Sequence, residues 1–398
     1  MRREMPPTAG LPLSPRELFG AGGGFSRAAL EYLDARHGAL ACSGTACLVL
    51  ILSALHRLTR RRTVIVPAYT CPLVALAVAH CGLDLRLCDL AADRLDFDLT
   101  ALARLCDKDT LAIVPTHLAG RVARVAPVKH IAQGCGAFVV EDAAQSFGAR
   151  RSGRSVGLEG DAGFFSFAAG KGLSLYEGGL WVAREPALAS AIERAQNETL
   201  APDAWRELRR CLELAAYALL YRPVFLPWVY GRPLRRSLKK GDLPEAVGDV
   251  FPADIPLHPV GAWRQGVGRR AISRLSGFHR QTKIQAERRL AALDRLPGAR
   301  VFRDTADEEG VWPFFLVCLP DRQSRDRALN RTWGAGLGVT RLFIHALPDY
   351  GYLRGRVPPE VCPNARRLAA HSLTVTNSPW LDDAGFERIL ALFRQALA

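Results

Sequence analysis

The residues with the most chemistry lie between Phe138 and Gly179. A short apolar run ends in Glu141-Asp142, and Gln145 follows three residues later. A second apolar run delivers Ser166, and Lys171 follows after Ala-Ala-Gly, flanked by Gly170 and Gly172. If the runs are strands of a parallel sheet, these side chains sit at carboxyl ends, where such sheets bind ligands. The two glycines let the backbone approach a ligand closely. A lysine there can form a Schiff base once desolvation or neighbouring cations lower its pKa. An aspartate on the next strand can keep a pyridinium nitrogen protonated, which makes a pyridoxal ring an electron sink. Spacing alone equally allows Asp142 and Lys171 to be ordinary solvated loop residues.

A second constellation is Cys42-Ser43-Gly44-Thr45-Ala46, between a short strand and a helical pattern. Glycine, a hydroxyl and free amides at a helix N-terminus suit a phosphate. A plain Ser or Thr cap reads the same way.

The elements that must position these groups follow a clear rhythm. From about residue 39 to 185, apolar runs alternate with helical stretches. The runs are Val64–Val66, Leu83–Leu87, Leu111–Val114, Ala137–Val140, Gly163–Phe167 and Leu180–Ala183; the helices include Ala46–Leu58 and Leu73–His80. Runs apolar on both sides predict strands covered on both faces, hence an α/β fold with a mostly parallel central sheet flanked by helices. A Gly- and Pro-rich segment, 1–38, precedes it. The large unit is expected to span 39–255 and to carry an insertion at about 200–255. Residues 256–398 are expected to form a connecting helix (Arg269–Leu296) and a small C-terminal α+β domain.

Composition narrows the class. The 398 residues are 49% hydrophobic and 23% charged, which fits a folded chain and excludes a disordered one. The ten cysteines show neither CxxC pairing nor metal-ligand spacing, so no metal is expected, and they read as reduced cytosolic thiols. Arg2 and Arg3 are not followed by an apolar stretch, so no signal peptide is read there. Lysine and arginine number 53 against 39 acids, a net charge of +14. Half of that excess lies in residues 204–240, around the apolar text CLELAAYALLYRPVFLPWVYG. Glu213, Arg222 and two prolines argue against a spanning helix, which leaves a surface contact with an anionic membrane or a face packed on the dimer or the domain core. No helix-turn-helix, zinc or RNA-binding signature is present, so nucleic acid is not an expected partner.

Taken together, the chain resembles the DegT/StrS-type nucleotide-sugar aminotransferases, which depend on pyridoxal 5'-phosphate and have the fold-type-I aminotransferase architecture. Ser43-Gly44-Thr45-Ala46 resembles the family's phosphate turn, Val66-Pro67-Ala68-Tyr69-Thr70 its P-x-x-T strand end, and Pro115-Thr116-His117-Leu118-Ala119-Gly120 its P-x-H-x-x-G segment. The block from Glu141 to Gly179 is the most specific match.

The resemblance implies that Lys171 is the Schiff-base lysine and proton carrier, that Asp142 pairs with the pyridine nitrogen, and that Gln145 lies against the ring. Gly44, Thr45, Ala46 and Ser166 would hold the phosphate, and Asn197 would reach a neighbouring subunit's phosphate site. Cys71 stands where the family stacks an aromatic ring, and Tyr69 is an alternative cover for that face. Val260–Arg264 replaces the family's asparagine-tyrosine-arginine text, so the acceptor pocket is expected to differ. His117 and Arg341 are candidate substrate contacts. The implied activity is transamination in a cytoplasmic homodimer, from an amino acid, glutamate by family analogy, to a nucleotide-linked ketosugar for surface polysaccharide. A sugar dehydratase or a non-catalytic cofactor-binding protein are the alternatives on the same scaffold.

Overall fold

The computed structural model describes residues 3–398; Arg2 of the basic N-terminal pair lies outside the described residues. The first nine strands are β1 (His37–Ala41), β2 (Thr63–Pro67), β3 (Asp84–Cys88), β4 (Thr110–Ile113), β5 (Phe138–Asp142), a small hairpin of β6 (Arg150–Arg151) and β7 (Arg154–Ser155), β8 (Ala162–Ser166) and β9 (Gly179–Ala183). Seven of them form the central sheet in the order β1-β9-β8-β5-β4-β2-β3. The strands from β3 across to β8 run parallel, and those inside the edge strand β3 are almost wholly buried, as the continuous apolar runs require.

One strand departs from the parallel pattern. β9 runs antiparallel to both β8 and β1. The β8–β9 connection, residues 167–178, contains no helix to carry the chain back across the sheet, so β9 returns directly beside β8. Lys171 sits in this connection. Because β9 reverses, β1 points the same way as β8, and the turn after β1 comes level with Ser166.

Helix Gly44–Thr59 starts at that turn. Ser43 is extended and caps it, its Oγ accepting the Ala46 N–H at 3.0 Å. Gly44 has a steric reason: a Cβ there would lie 3.2 Å from Ser166 Cβ and 3.3 Å from the Phe165 carbonyl oxygen. The helix is buried on nearly every side, which explains a hydrophobic run without one polar face.

The C-terminal unit carries β10 (Arg300–Val301), β11 (Glu308–Glu309), β12 (Phe314–Cys318), β13 (Val339–Thr340) and β14 (Ser372–Thr376). Its sheet runs β10-β12-β14-β13, wholly antiparallel, with helices Arg322–Thr332 and Asp383–Leu397 in contact. β11 instead pairs with β6, and Arg151 meets Glu308 at 2.5 Å, tying this unit to the large one. The long basic pattern predicted as one helix from Arg269 to Leu296 is two, Ala262–Ile272 and Leu275–Leu293.

The insertion is ordered as helix Ala204–Leu220, a π-helical turn at Pro227–Gly231 and helix Arg232–Lys240. Leu214, Tyr217 and Ala218 pack it on the core. Arg264, fully buried, pairs with Glu207 and also donates to the Leu175 and Glu177 carbonyls, so the insertion is anchored to the β8–β9 connection. The text that replaces the family's asparagine-tyrosine-arginine motif therefore serves as an anchor. No helix among the described residues is long and apolar enough to cross a membrane.

Candidate active site

Carboxyl ends of the parallel strands open into a cavity of about 520 Å³. Lys171, Asp142, Gln145, Ser166, Gly44, Thr45 and Cys71 all line it. Sequence positions spread over more than 120 residues thus converge because each follows the end of a neighbouring strand.

Asp142 is fixed from both sides. Its N–H donates to the Pro115 carbonyl, its own carbonyl accepts from the His117 N–H, and its Oδ1 accepts the Ala144 N–H at 3.0 Å. Burial raises its pKa; the Ala144 amide and the charge of Lys171 act in the opposite direction. Lys171 shows the reverse. Burial lowers its pKa, opposed by Cys71 and Asp142, which favours the neutral, nucleophilic amine. Gly170, beside it, has φ +80°, where glycine is favoured.

Gln145 Oε1 accepts the Ala119 N–H at 2.8 Å, holding a turn in which Ala119 itself has positive φ. That bond leaves the amide hydrogens of Gln145 for a ligand. At the phosphate turn, Ser43 occupies the Ala46 N–H, and Ala46 is fully buried. The phosphate assignment is therefore corrected for Ala46: the free donors are Gly44 and Thr45, the opening residues of helix Gly44–Thr59. The chemistry of the set fits pyridoxal phosphate: an amine, a carboxylate and an orphaned helix N-terminus share one cavity, and a side chain at Gly44 would crowd the cradle beside Ser166.

Three assignments fare differently. His117 is 1% exposed and does not line the cavity. Its Nδ1 accepts the Ala123 N–H at 3.0 Å, so Nε2 carries the hydrogen to Glu141 at 2.8 Å. Glu141 also accepts the amides of Gly157, Glu159 and Gly160. Burial alone would raise its pKa, but His117 and those amides outweigh it and hold the carboxylate charged. His117 is thus a strand-end brace and not a substrate contact. Arg341 is buried, with Nη2 donating to the carbonyls of Ile344 and Ala369, and it also lies off this cavity. Tyr69 is likewise buried, its hydroxyl donating to the Phe343 carbonyl, so it does not cover the cofactor face. Cys71 remains on the cavity wall with a thiol pushed by burial up to about 12, hence neutral. Asn197 is exposed on helix Pro186–Thr199 and does not line the cavity of its own chain.

The sequence reading missed two contributors. Pro7 and Thr8 line the cavity, and Thr8 Oγ1 donates to the Gly170 carbonyl at 2.6 Å. Leu11 N–H donates to the Gly172 carbonyl, so the N-terminal segment brackets Lys171. The second is Asp249, at the end of the insertion. Its Oδ2 accepts the Ile344 N–H at 2.9 Å and the Tyr350 hydroxyl at 2.6 Å. Burial raises this carboxyl to about 6. A proline-threonine pair and a lone aspartate carry no local signal.

The class follows from this arrangement: the fold is that of fold-type-I pyridoxal-phosphate aminotransferases. DesV of S. venezuelae, solved with a ketimine intermediate, is similar at TM-score 0.71 and 23% identity, covering 96% of this chain and 90% of that one. DesI, solved with its TDP-sugar product, is similar at TM-score 0.75 and 20% identity, covering 100% and 94%. Residues 23–215 match the model of the DegT/DnrJ/EryC1/StrS aminotransferase family. Protein MosB of Rhizobium meliloti is 35% identical over 189 residues, 46% of this chain and 37% of that protein. GDP-perosamine synthase of Caulobacter vibrioides is 32% identical over 180 residues, 45% and 48% respectively. The matched stretch thus spans less than half the length of these relatives.

Proposed function

We propose that the chain is a pyridoxal-phosphate-dependent aminotransferase that moves an amino group from glutamate to a nucleotide-linked ketosugar, working as a cytoplasmic homodimer in surface-polysaccharide synthesis. The observation that carries the reading is the meeting of Lys171 and Asp142 in one cavity with the N-terminus of helix Gly44–Thr59. Pyridoxal phosphate, when bound, supplies the electron sink for breaking bonds at the amino-bearing carbon. Lys171 Nζ takes and returns the proton at that carbon, and burial shifts the amine towards the neutral form that can do so. The Asp142 carboxylate pairs with the ring nitrogen, and Gly44, Thr45 and Ser166 bind the phosphate. Asn197 would complete a partner's phosphate site.

Among residues lining the cavity, Lys171 is the one lysine or arginine, so the carrier's diphosphate would be held outside it. Relatives named as sugar-nucleotide enzymes support the substrate class. Retention of the lysine favours transamination over sugar dehydration.

The test is spectroscopic. Purified protein reconstituted with pyridoxal phosphate is expected to show a visible absorbance that bleaches on adding glutamate, and Lys171→Ala is expected to abolish it. A protein with no cofactor absorbance after reconstitution would overturn the reading.

A further inference from the structure

Among the described residues, nine of the fourteen large hydrophobic side chains that stand exposed lie between Trp205 and Val229. On helix Ala204–Leu220 they form a stripe: Trp205, Leu208, Leu212 and Leu219 recur at three- and four-residue spacing on one face, with Ala216 between. The opposite face, Leu214, Tyr217 and Ala218, is the one packed on the core. The helix therefore has a second apolar face that no described residue covers. The stripe continues into Val224, Phe225, Trp228 and Val229, with Trp205 82% and Trp228 64% exposed.

Cations flank this face. Helix Arg232–Lys240 places five lysines and arginines in nine residues with no acid. Arg235 is spent on the buried Glu4, while Arg232, Arg236, Lys239 and Lys240 stay exposed. Arg232 lies 4.8 Å from the ring centre of Trp228, so charge and aromatic ring are adjacent. A two-fold contact through this face would set the same basic helix against its copy, which like-charge repulsion opposes. An anionic lipid surface has the complementary charge and accepts the aromatic and aliphatic side chains.

We propose that residues 204–240 seat this protein on an anionic membrane surface, with the Trp205–Leu219 stripe and Phe225 and Trp228 entering the headgroup region and the Arg232–Lys240 helix facing the lipid charge. Of the two readings of the insertion's apolar text, packing on the core accounts for Leu214, Tyr217 and Ala218 and leaves the opposite face exposed. The docked loop adjoins the active site, because Tyr221 and Tyr230 at its two ends line the cavity. The inference rests on the surface alone and stands or falls independently of the aminotransferase reading.

Co-sedimentation of the full-length protein with vesicles tests it. Binding is expected to vesicles of equal phosphatidylcholine and phosphatidylglycerol at low salt, with a blue shift of tryptophan fluorescence, and is expected to fall at high salt. Lys239→Gln with Lys240→Gln should weaken the partition by about fivefold per charge removed. Phe225→Ser with Trp228→Ser should lower it further while leaving the melting temperature unchanged, since both side chains are exposed. Absence of binding by the wild type, equal binding to phosphatidylcholine alone, or variants that bind as the wild type does would each overturn the proposal. So would a fall in oligomeric mass in the Phe225 and Trp228 variant without any vesicle binding, which would assign the face to a second copy.

Discussion

Asp249→Asn should stabilise the protein at neutral pH and do nothing at acid pH. In the folded chain burial holds the Asp249 carboxyl at about 6, against an ordinary value of 3.8, even though the Tyr350 hydroxyl, the Ile344 amide and the charge of Arg341 all favour its ionised form. The folded state thus binds a proton more tightly than the unfolded one. Between those two values stability falls as pH rises, because the native state must give up a proton that the unfolded chain has already lost. The difference of about two pKa units corresponds to about 3 kcal/mol. Asparagine keeps an oxygen that can accept both hydrogen bonds and never becomes charged. For a chain of this length, 3 kcal/mol is about 4 °C in melting temperature. Thermal melts of wild type and variant at pH 4 and pH 8 should therefore coincide at the lower pH and separate by about that amount at the higher. Separation by the same amount at both pH values, or a variant less stable at pH 8, would refute the reasoning.

His117→Ala should cost about 2 to 3 kcal/mol by removing a partner of the buried Glu141 carboxylate, read from urea midpoints. It should leave the KM for the amino acceptor unchanged, and a raised KM with unaltered stability would return His117 to the substrate. Gly44→Ala should weaken cofactor binding by about 1 to 3 kcal/mol, since the new methyl lands 3.2 Å from Ser166 Cβ. Titration of the apoprotein with pyridoxal phosphate measures it, and an unchanged Kd would show that the turn gives way.

What could be read in the sequence was whatever is local. The continuous apolar runs placed β2, β3, β4 and β5 within a residue or two, because a strand covered on both faces needs no alternation. The positions of Lys171 and Asp142 followed from the ends of those runs. Antiparallel β9 was not legible, since a buried strand carries the same apolar text in either direction, and the short link before it decides. The Thr8–Gly170 bond spans 162 positions and the Asp249–Tyr350 bond 101, so no window of sequence contains either pair. Ala46 and His117 were misassigned for a related reason. Their motifs fix a residue's place at a strand end or helix start, but not whether its polar group is already engaged, by Ser43 in one case and by Glu141 and Ala123 in the other.

The long-range contacts share one consequence. Glu4 is buried and pairs with Arg235 of the insertion at 2.8 Å, and the Glu4 N–H donates to the Pro223 carbonyl. The same N-terminal segment then crosses Gly170 and Gly172 on either side of Lys171. Insertion, N-terminal segment and lysine loop are therefore linked by hydrogen bonds in series, and the lysine backbone cannot shift without disturbing Thr8. Gly10 shows how close the packing is, since a Cβ there would stand 2.7 Å from the Lys171 carbonyl oxygen. The path from the insertion to the lysine loop thus runs through the covalent chain of the N-terminal segment, two backbone hydrogen bonds and two side-chain contacts. These contacts make the insertion part of the active-site wall, and the ion pairs at Arg235 and Arg264, each with one fully buried partner, hold so basic and apolar a segment on the fold instead of letting it trail free.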